Sequence, residues 1–321
     1  MAARGRRDPR DYQIAILTGL LVYGIGWLDF ELAPSGIAAI LAAALAVQGL
    51  CTRLFRLARF DPKSALISAL SLCLLLRTDS LALMAATAAL AIASKFALRW
   101  NGKHVFNPTN FGLVAMMAFT GRVWVSPGQW GSAALAGFLM ACLGVLVVNR
   151  AARSDVTWAF LGFYVAALVG RALWLGEPLA IPLHQLQSGA FLLFAFFMIS
   201  DPKTTPDSRA GRILFAFLVA CGAIFVRFVL FRQNGLLWSL AVVALAVPLI
   251  DRLLPGERYE WRGRAAPSTK GVLHEKALDA VRPVRVRRLP AGALGAGVLR
   301  LLRREGRHQA VQSRVAGRAR P

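Results

Sequence analysis

The chain has 321 residues, 57% of them hydrophobic and 17% charged, with a formal net charge of +22. A soluble domain would carry about 25% charged residues, and so much apolar sequence excludes intrinsic disorder for most of the chain. It also sits badly with a nucleic-acid binder, the usual reading of so basic a protein. No nucleic-acid partner is expected, and what remains is a membrane protein with basic edges.

A helix needs about 20 apolar residues to cross a bilayer, and about 17 suffice. In chain order the candidates are Tyr12–Leu28, Ser35–Leu50, Ser64–Leu76, Ser80–Leu98, Phe111–Thr120, Gly131–Val148, Val156–Leu175, Pro182–Ile199, Gly211–Phe228 and Gly235–Leu254. The expected fold is therefore all-α and polytopic, with ten transmembrane helices. Ser64–Leu76 and Phe111–Thr120 are short, as expected of half a broken helix or a buried segment away from lipid.

Basic residues orient the spans, because cytoplasmic loops are enriched in Lys and Arg. With the N-terminus inside, the inside segments before the tail hold 16 basic residues and the outside loops five, namely Arg77, Arg122, Arg171, Arg227 and Arg232. Residues 1–11 then form a basic cytoplasmic N-terminus, 12–254 a ten-helix membrane domain and 255–321 a basic, disordered cytoplasmic tail. From Arg252 to Pro321 lie 17 of the 38 Lys and Arg but 5 of the 16 acids. Both termini are expected on the cytoplasmic side of a bacterial inner membrane, with lipid as one partner. The stretch Val298–Arg304 reads either as an interfacial amphipathic turn or as solvated tail. Arg77, Arg171 and Arg227 border outer loops, where they serve an ion path or snorkel to headgroups. Cys51, Cys73, Cys142 and Cys221 stand far apart, so neither a disulfide framework nor an iron–sulfur site is expected. No cleavable signal peptide is evident, and no metal site.

Two polar breaks interrupt the apolar sequence. One is Gly102-Lys103-His104-Val105-Phe106-Asn107-Pro108-Thr109-Asn110-Phe111-Gly112; the other is Ser200-Asp201-Pro202-Lys203-Thr204-Thr205-Pro206-Asp207-Ser208. Each has an Asx-Pro dipeptide, which forces extended or turn geometry on the residue before proline. Thr109, Asn110, Asp207 and Ser208 are natural N-caps for the spans that follow. Helix N-termini here would offer N–H groups and a positive dipole end to an anion. On this reading Lys103, His104, Asn107, Thr109, Asn110, Asp201, Thr204 and Thr205 are the candidate binding residues. The plainer reading is two loops leading into helices, whose basic residues fix topology. Five spans per half is also the arithmetic of two inverted five-helix repeats, yet both breaks fall on inside loops, where equivalents should face opposite sides. Either one break dips into the membrane, or their likeness is turn chemistry alone.

At these residues the chain resembles the NqrB/RnfD family, the membrane subunit of sodium-pumping NADH:quinone reductase and of the Rnf electron-transport complex. The likeness runs through Gly102–Gly112 and through Phe196-Phe197-Met198-Ile199-Ser200-Asp201-Pro202. It continues in Gly211-Arg212-Ile213-Leu214-Phe215 and in Pro248-Leu249-Ile250-Asp251-Arg252, covering roughly residues 60–254. The resemblance implies ten spans, flavin-linked electron transport coupled to ion movement, and other subunits as partners. It also implies FMN esterified to the threonine of an S-G-A-T motif, following the first break and its span. No such motif occurs here: Trp124-Val125-Ser126-Pro127-Gly128-Gln129-Trp130 leads into the next span, and Ser188-Gly189-Ala190 is followed by Phe191. A covalent FMN is therefore not expected, while non-covalent FMN or riboflavin stays open, with Trp100, Trp124 and Trp130 as stacking surfaces or interfacial anchors. The chain has no G-x-G-x-x-G loop, thiolate cluster or paired carboxylates, so its expected part is at most that of an electron-relay subunit. The alternative is a flavin-free transporter or channel on the same fold.

Overall fold

Proline and short polar side chains decide where the helices begin. In the computed structural model, which describes residues 8–28, 30, 32–125 and 154–259, α1 (Pro9–Trp27), α2 (Pro34–Leu54), α3 (Pro62–Leu75) and α5 (Pro108–Thr120) all open on a proline. Its fixed φ suits the first helical position, where the missing N–H would have no partner anyway. α4 (Leu81–Ala97) opens on Ser80, whose hydroxyl accepts the Leu83 N–H. The second half holds α6 (Ser154–Leu175), α7 (Ala180–Leu186), α8 (Gly189–Leu193), a π-turn over Phe194–Met198, then α9 (Arg209–Phe228), α10 (Gly235–Ala244) and α11 (Val247–Leu253). The described residues all belong to one compact unit, Met1–Gly263.

Nine of the ten expected spans coincide with a helix or a bent helix pair; Gly131–Val148 lies outside the described residues, as do the tail beyond Tyr259 and its Val298–Arg304 stretch. Three described helices, α2, α6 and α9, are long and apolar enough to cross a membrane. The count rises to five if α7 with α8 and its π-turn, bent by 55°, and α10 with α11, bent by 52°, each make one span. The chain is thus an all-α membrane protein. Trp27 and Trp174 stand exposed at the C-terminal ends of α1 and α6, where their amphipathic rings suit a membrane–water boundary.

Two small antiparallel pairs complete the fold. β1 (Leu76–Arg77) ends α3 and pairs with β4 (Trp124–Val125), placing Arg77 opposite Trp124. β2 (Arg99–Trp100) and β3 (Lys103–His104) form a hairpin. Its turn, Asn101-Gly102, has φ of 48° and 77°, and positive φ at both positions is what a two-residue I′ turn requires.

In the first half α2 packs along α4, α4 along α5, and α3 against α1 and α2. In the second half α6 packs along α9 and α9 along α10, while α10 meets α5 across the halves. Small residues permit these approaches. A Cβ at Gly112 would lie 2.9 Å from the Thr87 carbonyl oxygen, and one at Gly235 would lie 2.7 Å from that of Ala223. The buried core runs through Leu72, Leu74, Ile92, Leu113, Phe160, Phe194 and Phe215.

Candidate functional site

The two polar breaks, some ninety residues apart in sequence, meet in space. The first is organised by Asn107. Its side-chain oxygen caps α5 by accepting the Asn110 N–H at 3.1 Å, so the cap stands ahead of Thr109 and Asn110, which lie inside the first turn. The amide of Asn107 donates to Asp201 Oδ2 at 3.2 Å and to the Met198 carbonyl at 3.5 Å. Asn110 donates to the Leu237 carbonyl at 3.2 Å, and Thr109 to that of Ser68 at 3.5 Å. These bonds fasten the start of α5 to α3, α10 and the second break.

Asp201 organises the second break. Its Oδ1 accepts the Lys203 N–H at 3.0 Å, and its carbonyl accepts the N–H groups of Thr204 and Thr205, both at 3.1 Å. The Thr204 hydroxyl adds a bond of 3.3 Å to the same carbonyl. Ser208 then caps α9 by accepting the Gly211 N–H at 3.0 Å. Burial pushes the Asp201 carboxyl up, opposed by the Lys203 N–H, the charges of Lys203 and Lys95, and the Asn107 amide.

A charge network locks these loops. Lys103 Nζ lies 3.0 Å from Asp207 Oδ1 and 2.7 Å from Asp251 Oδ2, and Asp251 Oδ1 accepts the Asp207 N–H at 2.8 Å. Arg212 pairs with Asp155 at 2.5 Å and donates to the Asp207 carbonyl at 2.7 Å. Deeper in, Lys95 is buried and donates to Gln48 Oε1 at 3.0 Å. His104 sits nearby. Burial, with the charges of Arg99, Lys95 and Lys203 around it, pulls its imidazole down to about 3, so the ring is neutral at ordinary pH. His104 Nδ1, Asn110 Oδ1 and Thr205 Oγ1 are buried without a hydrogen-bond partner among the described residues.

Of the eight candidate residues, Lys103, Asn107, Asp201, Thr204 and Thr205 are thus joined through shared bonds or a shared loop, while Thr109 and Asn110 turn toward α3 and α10. Sequence reasoning takes Lys95 and Arg212 as topology markers, meets Arg212 and Asp251 in segments of the family resemblance, and passes over Gln48 and Asp155. Their signal is present in the chain, since each is a polar side chain within or beside an apolar run, and such residues are rarely idle in a membrane protein. Arg77 is buried rather than extended toward an edge. Arg171 pairs with Glu177 at 2.7 Å and lies over the Phe228 ring at 4.1 Å. Trp100 and Trp124 are exposed, and Trp130 lies outside the described residues.

Residues 115–260 match the model of the NQR2, RnfD, RnfE family. That stretch takes in the second break and the Pro248–Arg252 segment; the first break lies just ahead of it. Among curated relatives, a subunit of an ion-translocating oxidoreductase complex from Alcanivorax borkumensis is 34% identical over 137 residues, 41% of this chain and 36% of that protein. Its namesake from Sodalis glossinidius is 30% identical over 149 residues, 44% of this chain and 43% of that protein. Another from Escherichia coli is 33% identical over 130 residues, 40% and 32% of the two chains. The chain thus matches about a third to two fifths of the length of these relatives.

Proposed function

We propose, for a chain that belongs to the NqrB/RnfD family through residues 115–260, that it is a membrane subunit of an Rnf-type electron-transport, ion-translocating complex. The observation that carries this reading is the second break. Ser200–Ser208 lies within the matched stretch, and its Asp201 holds the first break through Asn107. Partner subunits would bring the electrons in, and this chain would relay them and frame the ion path. The spans would number ten, with both termini cytoplasmic in a bacterial inner membrane.

We read the two halves as inverted repeats. Two parallels support this. The packing order α2–α4–α5 recurs as α6–α9–α10. Thr78-Asp79-Ser80 opens α4 much as Pro206-Asp207-Ser208 opens α9, each on a serine cap. On that pairing the counterpart of the second break is 76–80, which the charge count sets on the outer face. The likeness of the two polar breaks is then turn chemistry, and the conflict over their sidedness disappears.

A flavin bound here would supply a carrier for one or two electrons. Without the S-G-A-T threonine it would be held non-covalently. The His104, Asn110 and Thr205 atoms that lack a partner among the described residues would face its polar edge, framed by Asn107, Thr109, Asp201 and Thr204. Two carboxylates already answer the Lys103 charge, so a neutral riboflavin suits this break better than the phosphate of FMN. Purification from native membranes tests the reading. Rnf-type subunits should co-purify with the visible absorbance of a flavin. A colourless, solitary protein whose reductant-free solute uptake into liposomes needs Asn107 and Asp201 would establish the transporter instead.

A further inference from the structure

Among the described residues, Arg77 has chemistry that the packing leaves half used. It follows the break at the end of α3 and is buried, with 7% of its surface exposed. Its Nη1 donates to the Leu76 carbonyl at 2.7 Å and the Cys73 carbonyl at 3.2 Å. Its Nε and Nη2 are buried and have no partner among the described residues. The Phe30 ring stands 5.4 Å from the guanidinium. Asp79, the carboxylate nearest in sequence, pairs instead with Arg122 at 2.8 Å, out on the exposed side.

A buried charge without a counter-charge is costly unless something neutralises it. The two donors without a partner among the described residues are not scattered, because Nε–H and the adjacent Nη2–H point in parallel from one edge of the planar guanidinium. That edge is the fork that grips two oxygens of a carboxylate or phosphate at once. The two carbonyl bonds fix the opposite side of the group, so the fork is held in place before any ligand arrives. Pairing of β1 with β4 anchors the backbone that carries it.

We propose that Arg77 holds an oxyanion, the phosphate or carboxylate of a bound ligand, on its Nε–Nη2 edge. The site is separate from the two polar breaks and does not depend on the subunit reading. If a flavin is bound in this part of the molecule, FMN rather than riboflavin is the form that fits.

The test is thermal unfolding of the full chain in detergent with inorganic phosphate, succinate, FMN or riboflavin. A ligand that binds only the folded state raises the midpoint in step with ln(1 + [L]/Kd). Wild type should be stabilised by at least one of the three oxyanion probes, with at least tenfold weaker apparent binding in Arg77→Gln. Arg77→Lys should fall between, since lysine keeps the charge and loses the fork. Any riboflavin shift should be the same in wild type and Arg77→Gln. Phosphate or FMN activity assigns a phosphoryl ligand, and succinate activity a carboxylate. Phosphate without FMN keeps this site and counts against an FMN there; flavin retained in the native complex equally by wild type and Arg77→Gln is held elsewhere, which supports the subunit reading and counts against an FMN on Arg77. The proposal falls if no oxyanion shifts wild type, or if Arg77→Gln responds as wild type does. It also falls if Asp29→Asn with Glu31→Gln lowers the midpoint as much as Arg77→Gln and the triple variant lowers it no further, for then the chain's own acids fill the edge. If Arg77→Gln does not fold, Arg77→Lys and the contrast of FMN with riboflavin on wild type decide the matter.

Discussion

Lys103 gives up its conformational freedom to answer two carboxylates from distant parts of the chain, Asp207 and Asp251. Removing it leaves both partly buried acids uncompensated, so Lys103→Met should cost about 3 kcal/mol. Part of that loss should return in Lys103→Met combined with Asp251→Asn, a coupling visible in a double-mutant cycle of unfolding midpoints. His104 gives a prediction of the opposite kind. Its imidazole is held neutral down to about pH 3, whereas an unfolded histidine takes up a proton near pH 6.5. A lowered basic group makes the unfolded state the better proton binder between those values. Stability should therefore fall as pH drops below about 6.5, by up to about 1.4 kcal/mol per unit from this residue. Unfolding midpoints followed from pH 7 to pH 5 should show a shallower decline in His104→Asn, and an unchanged slope would refute the assignment.

Among the elements, the contact of α4 with α5 leaves no room for a side chain at Gly112. The nearest neighbour that cannot yield to a side chain at Gly112 is the Thr87 backbone carbonyl, so Gly112→Val should destabilise by about 2 kcal/mol through overpacking. Loss of the purified, monodisperse peak on size exclusion would report it before spectroscopy does. Helix starts are legible in the sequence because Pro9, Pro34, Pro62 and Pro108 act on their own backbone. The Asn101-Gly102 hairpin is equally local, though in the sequence it reads only as the edge of a polar loop. Lys103 with Asp251 is not legible in this way. The pair is 148 residues apart, and nothing local to either residue distinguishes a bridge from a topology marker.

For the whole molecule, the proposed ten spans would set both ends of the chain on one side. A green fluorescent protein fused after Pro321 should fluoresce, and alkaline phosphatase fused there should stay inactive; the reverse result would overturn the even number of spans. The join between the halves depends in turn on the π-turn over Phe194–Met198, where the Ile199 N–H reaches back five residues to the Phe194 carbonyl at 3.0 Å. Such a turn holds a spare residue relative to an α-helix. Excising Ala195 would let the segment tighten into ordinary helix while leaving the residues after it on nearly the same face, because the residue lost is the one the turn holds in excess. Asp201 should then keep its bond to Asn107. The same deletion in the regular helix α9, at Val219, would turn the rest of that helix by about 100°, so the π-turn is where this apolar stretch can lose a residue and keep the halves joined.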